Sequence, residues 1–495
     1  MTRYATTRYA TTRYATTHFA TTRRGFLAAS AAFAGASALP RLAQTQSSAF
    51  SLRAVSRTLD IDGRAATVYG LENAAGGQGL ILDPGQRFAV DLRNDLTEET
   101  IIHWHGQIPP NTQDGVPGLP LPVLAPGELR SFDFAPLPGT FWMHSHLPVQ
   151  EMRLLAAPLI VRSAADLAAD RQEVVMVLHD FSFQPAEAVL AEIAAGAGQG
   201  MAGMDHGGMA GMGGGMAGGM AGMAMDLNDY DFDAYLANDR TLNDPEVIAV
   251  AAGGRLRLRI INAAAATVFW IDTGAVPGRL VAVDGHGIAP LNGRSFGMAM
   301  GQRLDIEIDL PTGRGTYPIL ARREGARERT GIILATPGAE VLRIEGLAET
   351  ASLAFDTGLE QESRLRATVP LAVRPAIRTH VMLLAGSMQP YRWTIDGKTW
   401  GDHLPVTATS GERVEITFHN TSMMGHPMHL HGHVFQVVGI GSQRLAGAVR
   451  DTVHVPPMAR ITIAIDAGEA ARWMLHCHHM PHLATGMMTE FAVNA

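Results

Sequence analysis

Gly411-Glu412-Arg413-Val414-Glu415-Ile416-Thr417-Phe418-His419-Asn420 opens on a glycine and then alternates apolar with polar side chains up to its final asparagine. Alternation with a period of two marks a half-buried β-strand. The same frame, Gly, any residue, Arg, alternating positions and a closing Asn, occurs twice more. One copy runs from Gly85-Gln86-Arg87-Phe88 to Asn94, the other from Gly253-Gly254-Arg255-Leu256 to Asn262. The copies start about 160 residues apart, a domain-sized period. A single alternating stretch would be unremarkable. Three that share a frame and a last residue imply an all-β chain of three consecutive, related domains.

The repeat also aligns histidines. His103 and His105 stand nine and eleven positions after Asn94, and His429 and His431 stand at the same offsets from Asn420. The corresponding places after Asn262 hold Ile271 and Thr273. A second block behaves alike. Phe141-Trp142-Met143-His144-Ser145-His146 matches Trp473-Met474-Leu475-His476-Cys477-His478, whereas the middle copy offers Tyr317-Pro318-Ile319-Leu320-Ala321-Arg322. Residues i and i+2 of a strand point the same way, so each His-X-His pair can present two imidazoles to one space. Four such pairs from the first and third domains imply a metal cluster at the interface between them. The middle domain is left as a spacer or docking surface.

Cys477 is the only cysteine of the chain and lies between His476 and His478, with His482 and Met487 shortly after. A thiolate with two imidazoles and a weak axial thioether is the ligand set of a blue-copper electron-transfer centre. If Cys477 holds one copper, its neighbours are placed to hold others, a few covalent bonds away.

The 495 residues are enough for about three domains. Their 46% hydrophobic and 17% charged content is core-forming, and a net charge of −8 gives no case for a nucleic-acid partner. One cysteine permits no intramolecular disulfide, so the compartment must be read elsewhere. Thr22-Arg23-Arg24-Gly25-Phe26-Leu27, followed by an alanine-rich apolar run to Leu39, reads as a twin-arginine export signal. Cleavage is expected between Ala38 and Gln44, giving a periplasmic protein. Upstream, Thr2-Arg3-Tyr4-Ala5-Thr6 is repeated from Thr7 and Thr12 and decays from Thr17, which suggests a signal extension, or a start codon assigned too early, with no role in the fold. No later segment is long and apolar enough for membrane insertion.

The ligand blocks resemble those of the multicopper oxidases over essentially the whole mature chain. They are His103-Trp104-His105-Gly106, His144-Ser145-His146, His426-Pro427-Met428-His429-Leu430-His431-Gly432-His433, and His476-Cys477-His478 with His482 and Met487. The resemblance implies three cupredoxin-like Greek-key β-sandwiches and four copper ions. A type 1 copper would take His426, Cys477 and His482, with Met487 axial. A type 2 copper would take His103 and His429. A type 3 pair would take His105, His144 and His478 on one copper, and His146, His431 and His476 on the other. The implied reaction passes four single electrons from a donor to dioxygen, forming two waters. His433 and His479 are expected in structural hydrogen bonds, and His286 in a turn. Asp114 resembles the acid that assists dioxygen reduction. Many bacterial relatives carry a glutamate just before the second type 1 histidine, where this chain has Pro481. The expected layout is a signal over 1–43 and domains over 44–165, 166–350 and 351–495, in a monomer.

The donor is the open question. Met201 to Met225 holds eight methionines in a Gly- and Ala-rich background, among them Met204, Met209, Met212, Met216 and Met220, as part of an insertion over 196–226. Thioethers favour Cu(I), though such a stretch is also readable as an apolar linker. Met424, two places before His426, resembles a residue that cuprous oxidases use to bind substrate copper, but Ser422 stands where those enzymes have an Asp. These features favour Cu(I) oxidation in copper tolerance. Laccase-like oxidation of phenols and other small organic reductants is the alternative. Non-enzymatic copper sequestration is the weakest reading, because storage needs no trinuclear cluster.

Overall fold

A computed structural model of the chain describes residues 49–196 and 227–495. The expected export signal, the pentapeptide repeat and the methionines from Met201 to Met225 lie outside those residues. Each repeat copy is a strand: Phe88–Asn94, Arg255–Asn262 and Arg413–Asn420. The alternation does what it predicts, burying Phe88, Val90 and Leu92, then Leu256, Leu258 and Ile260, then Val414, Ile416 and Phe418.

All three copies have the same neighbours. Phe88–Asn94 pairs parallel with Phe50–Ile61 and antiparallel with Leu129–Phe134. Arg255–Asn262 stands likewise between Gln172–Phe181 and Arg303–Asp309, and Arg413–Asn420 between Arg378–Met388 and Arg460–Asp466. The closing asparagine also does one job three times. Its Nδ2 donates to the carbonyls of Glu98 and Leu124 in the first copy, Thr267 and Met298 in the second, and Met424 and Val455 in the third. Its Oδ1 accepts from the amide two residues on, at Leu96, Ala264 and Ser422. Only a side-chain amide supplies both two donors and an acceptor to the backbone groups left unpaired as the chain leaves the sheet.

A second sheet covers each of the first. In the first domain it runs Leu80–Leu82, Ala156–Val161, Gly139–Ser145, Ile102–His105, and in the third Val406–Thr409, Met488–Asn494, Arg472–Cys477, His426–Leu430, Thr452–Val455. The middle domain has Phe269–Asp272 and Thr316–Arg323 at the equivalent places. Apolar side chains from both sheets fill each sandwich. Smaller clusters seal the seams: Trp142 and Ala156 against Val177 and Ile261, and Val116 and Leu119 against Met474. Residues Ser48–Ala495 accordingly form one compact unit. His286 is not a turn residue. Asp284 and Gly285 make the turn with positive φ, and His286 begins the strand His286–Gly293. Among the described residues no helix is long and apolar enough to cross a membrane.

Candidate metal centres

Strand register assembles the first centre. His103 faces His144 across one strand pair, and His429 faces His476 across its counterpart. His146 and His478 each follow one residue after their strand ends. The eight imidazoles are buried and converge on one space between the first and third domains. His146, His431 and His476 bring ligand atoms within 4.8 Å of one another, and so do His103, His105 and His144. The His478 ring is centred 4.9 Å from that of His105 and 5.1 Å from that of His144.

The hydrogen bonds fix which ring nitrogens are free. His103 Nδ1 donates to the Asp114 carbonyl at 2.8 Å, His429 Nδ1 to the Asp451 carbonyl at 3.0 Å, and His476 Nδ1 to the Cys477 carbonyl at 2.9 Å. His431 Nδ1 donates to Asp114 Oδ2 at 2.9 Å, and His105 Nε2 to Asp451 Oδ1 at 3.1 Å. His144 Nδ1 lies 2.9 Å from the Ser145 carbonyl and 2.7 Å from Glu151 Oε2. Acceptors at these nitrogens leave the opposite nitrogens as bare lone pairs. Those lone pairs face one another: His103 and His429 at 3.4 Å, His431 and His476 at 3.1 Å, His105 and His144 at 3.3 Å. Such pairs repel unless a cation lies between them. Imidazoles that bind one ion through bonds of about 2.0 Å must stand about 3 Å apart or slightly more. The residues present therefore fit metal ions. Burial also holds His105, His144, His146, His429, His431, His476 and His478 below their ordinary pKa, hence neutral and ready to ligate.

The second centre lies within the third domain. His426 Nδ1 is 3.7 Å from Cys477 Sγ, His482 Nδ1 is 3.6 Å from it, and the two nitrogens are 3.2 Å apart. Ser422 Oγ accepts from His426 Nε2 at 2.9 Å, so Ser422 orients this ring. Met487 is buried in the same core as Cys477, and its backbone bonds both Cys477 and His482. Burial pushes the Cys477 thiol well up, so a thiolate forms here only with a metal to stabilise it.

Several surrounding residues carried no spacing signal in the sequence. Asp451 binds His105, and Arg303 of the middle domain donates to it at 2.8 Å. Burial opposes the Asp451 charge, yet the Arg303 guanidinium holds its carboxyl well below the usual range. The middle domain is thus more than a spacer: it supplies a wall of the cluster. Gly301 belongs to that wall, and a Cβ there would lie 3.0 Å from the His478 ring. Gly106 has φ +85°, and a Cβ on it would meet Arg303 at 2.4 Å. Asp229 Oδ2 is 3.6 Å from His482 Nε2 and accepts from the Tyr391 hydroxyl. His433 is hydrogen-bonded to backbone as expected, with Nδ1 donating to the His431 carbonyl and Nε2 accepting from Gly468. His479 is not. Its Nδ1 has no partner and its ring stacks on His482, 3.9 Å between centroids.

Three sequence-family models described as multicopper oxidase match residues 54–166, 172–345 and 373–495. The chain belongs to the multicopper oxidase family. Multicopper oxidases are copper-dependent oxidoreductases, and this chain is one, built of three cupredoxin-like domains. It is 27% identical to the multicopper oxidase MmcO of Mycobacterium tuberculosis, across 87% of this chain and 84% of that protein. It is 24% identical to a copper resistance protein A homolog of Pseudomonas syringae pv. tomato, across 90% and 92% of the two. It is also 24% identical to Laccase-1 of Botryotinia fuckeliana, across 88% and 80%. The fold matches the crystal structure of Fet3p, a multicopper oxidase that functions in iron import, with a TM-score of 0.72, 15% identity and 90% of each chain covered.

Proposed function

We propose that this multicopper oxidase is exported to the periplasm and oxidises Cu(I), passing the electrons to dioxygen in a copper-tolerance role. Four copper ions are assigned. His426, Cys477 and His482, with Met487, would hold a type 1 copper, and His103 and His429 a type 2 copper. His105, His144 and His478, and His146, His431 and His476, would hold the type 3 pair. When bound, the coppers supply one-electron uptake at the first centre and four-electron reduction of dioxygen to two waters at the cluster. The chain orients the rings, excludes bulk water and keeps Cys477 covalently continuous with His476 and His478. Asp114, the residue expected to assist with protons, is buried with Oδ2 on His431, which supports a place beside the reacting site.

One observation carries the choice of donor. A cleft beside the type 1 ligands is lined by Met300, Met424, His454, His479 and Glu324. Its volume of about 20 Å³ holds little more than one water-sized body, which suits a single ion better than an aromatic ring. Thioethers and imidazoles are Cu(I) donors, and the Nδ1 atoms of His454 and His479 are buried without partners. The stack of His479 on His482 gives an electron a contact path to the type 1 site. The methionines from Met201 to Met225 add a composition suited to collecting Cu(I). The laccase-like reading rests on the similarity to Laccase-1. A separate cavity of about 370 Å³, lined by Phe181, Phe183 and Phe232, touches none of the assigned ligands.

Oxygen uptake by the copper-loaded protein, supplied with Cu(I) or with a phenol, tests the reading. Met424→Leu and deletion of 201–225 are expected to depress turnover of Cu(I) more than that of the phenol. Equal loss with both donors, or turnover of the phenol alone, would overturn the cuprous assignment.

A further inference from the structure

Glu151 ends a single helical turn, Pro148–Glu151, that begins two residues after His146. Its neighbour Gln150 fixes the turn. Gln150 Oε1 accepts from the hydroxyls of Thr100 and Ser145, each at 2.8 Å. Gln150 Nε2 donates to the Glu99 carbonyl at 2.8 Å and to Glu98 Oε1 at 2.9 Å. The turn also packs against Met480–Ala484, the helix that carries Pro481 and His482. Anchored on both sides, it directs a carboxylate inward that is 2% exposed. Glu151 Oε2 lies 2.7 Å from His144 Nδ1, and Oε1 lies 3.8 Å from His478 Nδ1. Neither Oε1 nor His478 Nδ1 has another partner. The two imidazoles belong to different domains, and this one side chain touches both.

We infer that Glu151 is the positioning residue that orients His144 and His478 together on one copper of the type 3 pair. The inference rests on the ligand assignment above. A metal-bound imidazole is fixed in tautomer and in plane by what its other nitrogen donates to, commonly a carboxylate. His431 has Asp114 for this purpose, and His105 and His429 have Asp451. Among the described residues His144 and His478 have no other carboxylate within reach. The two oxygens of Glu151 match two rings that must present Nε2 to the same ion, so they support pairing these rings rather than splitting them between coppers. The first domain thus supplies a carboxylate close to the helix in which Pro481 replaces the glutamate of bacterial relatives.

Glu151→Ala and Glu151→Gln in the full-length, copper-loaded protein test this by copper content, type 3 near-ultraviolet absorption and type 1 blue absorption. The Ala variant is expected to lose about 10–100-fold in affinity for type 3 copper. It should keep a blue band that still bleaches with Cu(I) under anaerobic conditions. The Gln variant, whose amide oxygen can take the place of Oε2 beside His144 Nδ1, should recover part of the type 3 signal. An Ala variant with wild-type copper content and type 3 absorption would overturn the inference. Should the Ala variant not fold, Glu151→Asp is read by the same spectrum: a changed type 3 band supports the role and an unchanged one removes it. A wild-type protein without any type 3 signal would instead sink the ligand assignment.

Discussion

The two candidate metal centres of this chain use the same imidazole chemistry but are built differently. His426, Cys477, His482 and Met487, the proposed type 1 ligands, all come from the third domain, whose apolar core holds Cys477 and Met487 with Phe418, Met428 and Trp393. Their supports are local: Ser422 lies four residues before His426, and Met487 bonds back to His482. The eight-imidazole site lies between domains, and each domain contributes ionisable groups around it: Asp114 and Glu151 from the first, Arg303 from the second, Asp451 from the third. A site inside one sandwich inherits its geometry from a single strand pair and the helix that follows. A site between sandwiches needs groups that fix the seam as well as the ligands.

The largest effect expected from this contrast is that of Cys477→Ser. It should abolish the blue band and donor oxidation together while leaving type 2 and type 3 copper in place, because no cluster ligand is touched. Paramagnetic resonance of the type 2 copper checks the second half. Loss of that signal with the blue band would mean that the two centres load as one unit.

Arg303→Ala should do the reverse. It leaves Asp451 and Asp284 buried without their middle-domain cation, and breaking a buried pair this way costs about 3–5 kcal/mol. The expected outcome is a lower unfolding midpoint and depleted cluster copper beside a normal blue absorption. Asp114→Asn is a smaller change, since an amide oxygen can still accept from His431 Nδ1. Turnover with dioxygen should fall by about 10–100-fold with copper content near normal. A variant equal to wild type in steady-state oxygen uptake would remove Asp114 from the reaction.

The contrast also separates what the sequence reveals from what it hides. The sandwiches and most residues of the two candidate centres are legible because their signals are local: a two-residue alternation, an asparagine at a strand end, pairs spaced by two. Asp451, Arg303, Glu151 and Asp229 gave no such signal. Each is a lone charged residue whose partner lies on a distant element, so its role appears only once the sandwiches are packed. Asp114 was legible as an acid near the cluster, but not that its carbonyl and carboxylate would hold two rings from different domains. His479 was expected in a hydrogen bond and instead stacks on a ligand ring, a contact that spacing along the chain cannot encode.

The smallest expected effect concerns a buried imidazole at neither centre. His179 lies in the strand Gln172–Phe181 with neither nitrogen hydrogen-bonded. Burial, helped by nearby Arg57 and opposed by Asp239, lowers its pKa to about 4. In an unfolded chain the same ring takes a proton as pH falls through about 6.5. Between those values the unfolded state holds the extra proton, so stability declines as acidity rises, by about 1.4 kcal/mol per pH unit, and is unaffected above about pH 7. The cluster imidazoles would be shielded from protons by bound metal as well as by burial, whereas His179 lies at neither centre and is held neutral mainly by burial. His179→Leu should therefore flatten the fall of the urea midpoint between about pH 6 and 4.5 by close to one proton's worth, without changing copper content or the blue band. Parallel slopes for wild type and variant would show that His179 exchanges protons in the folded state and that burial does not hold it neutral.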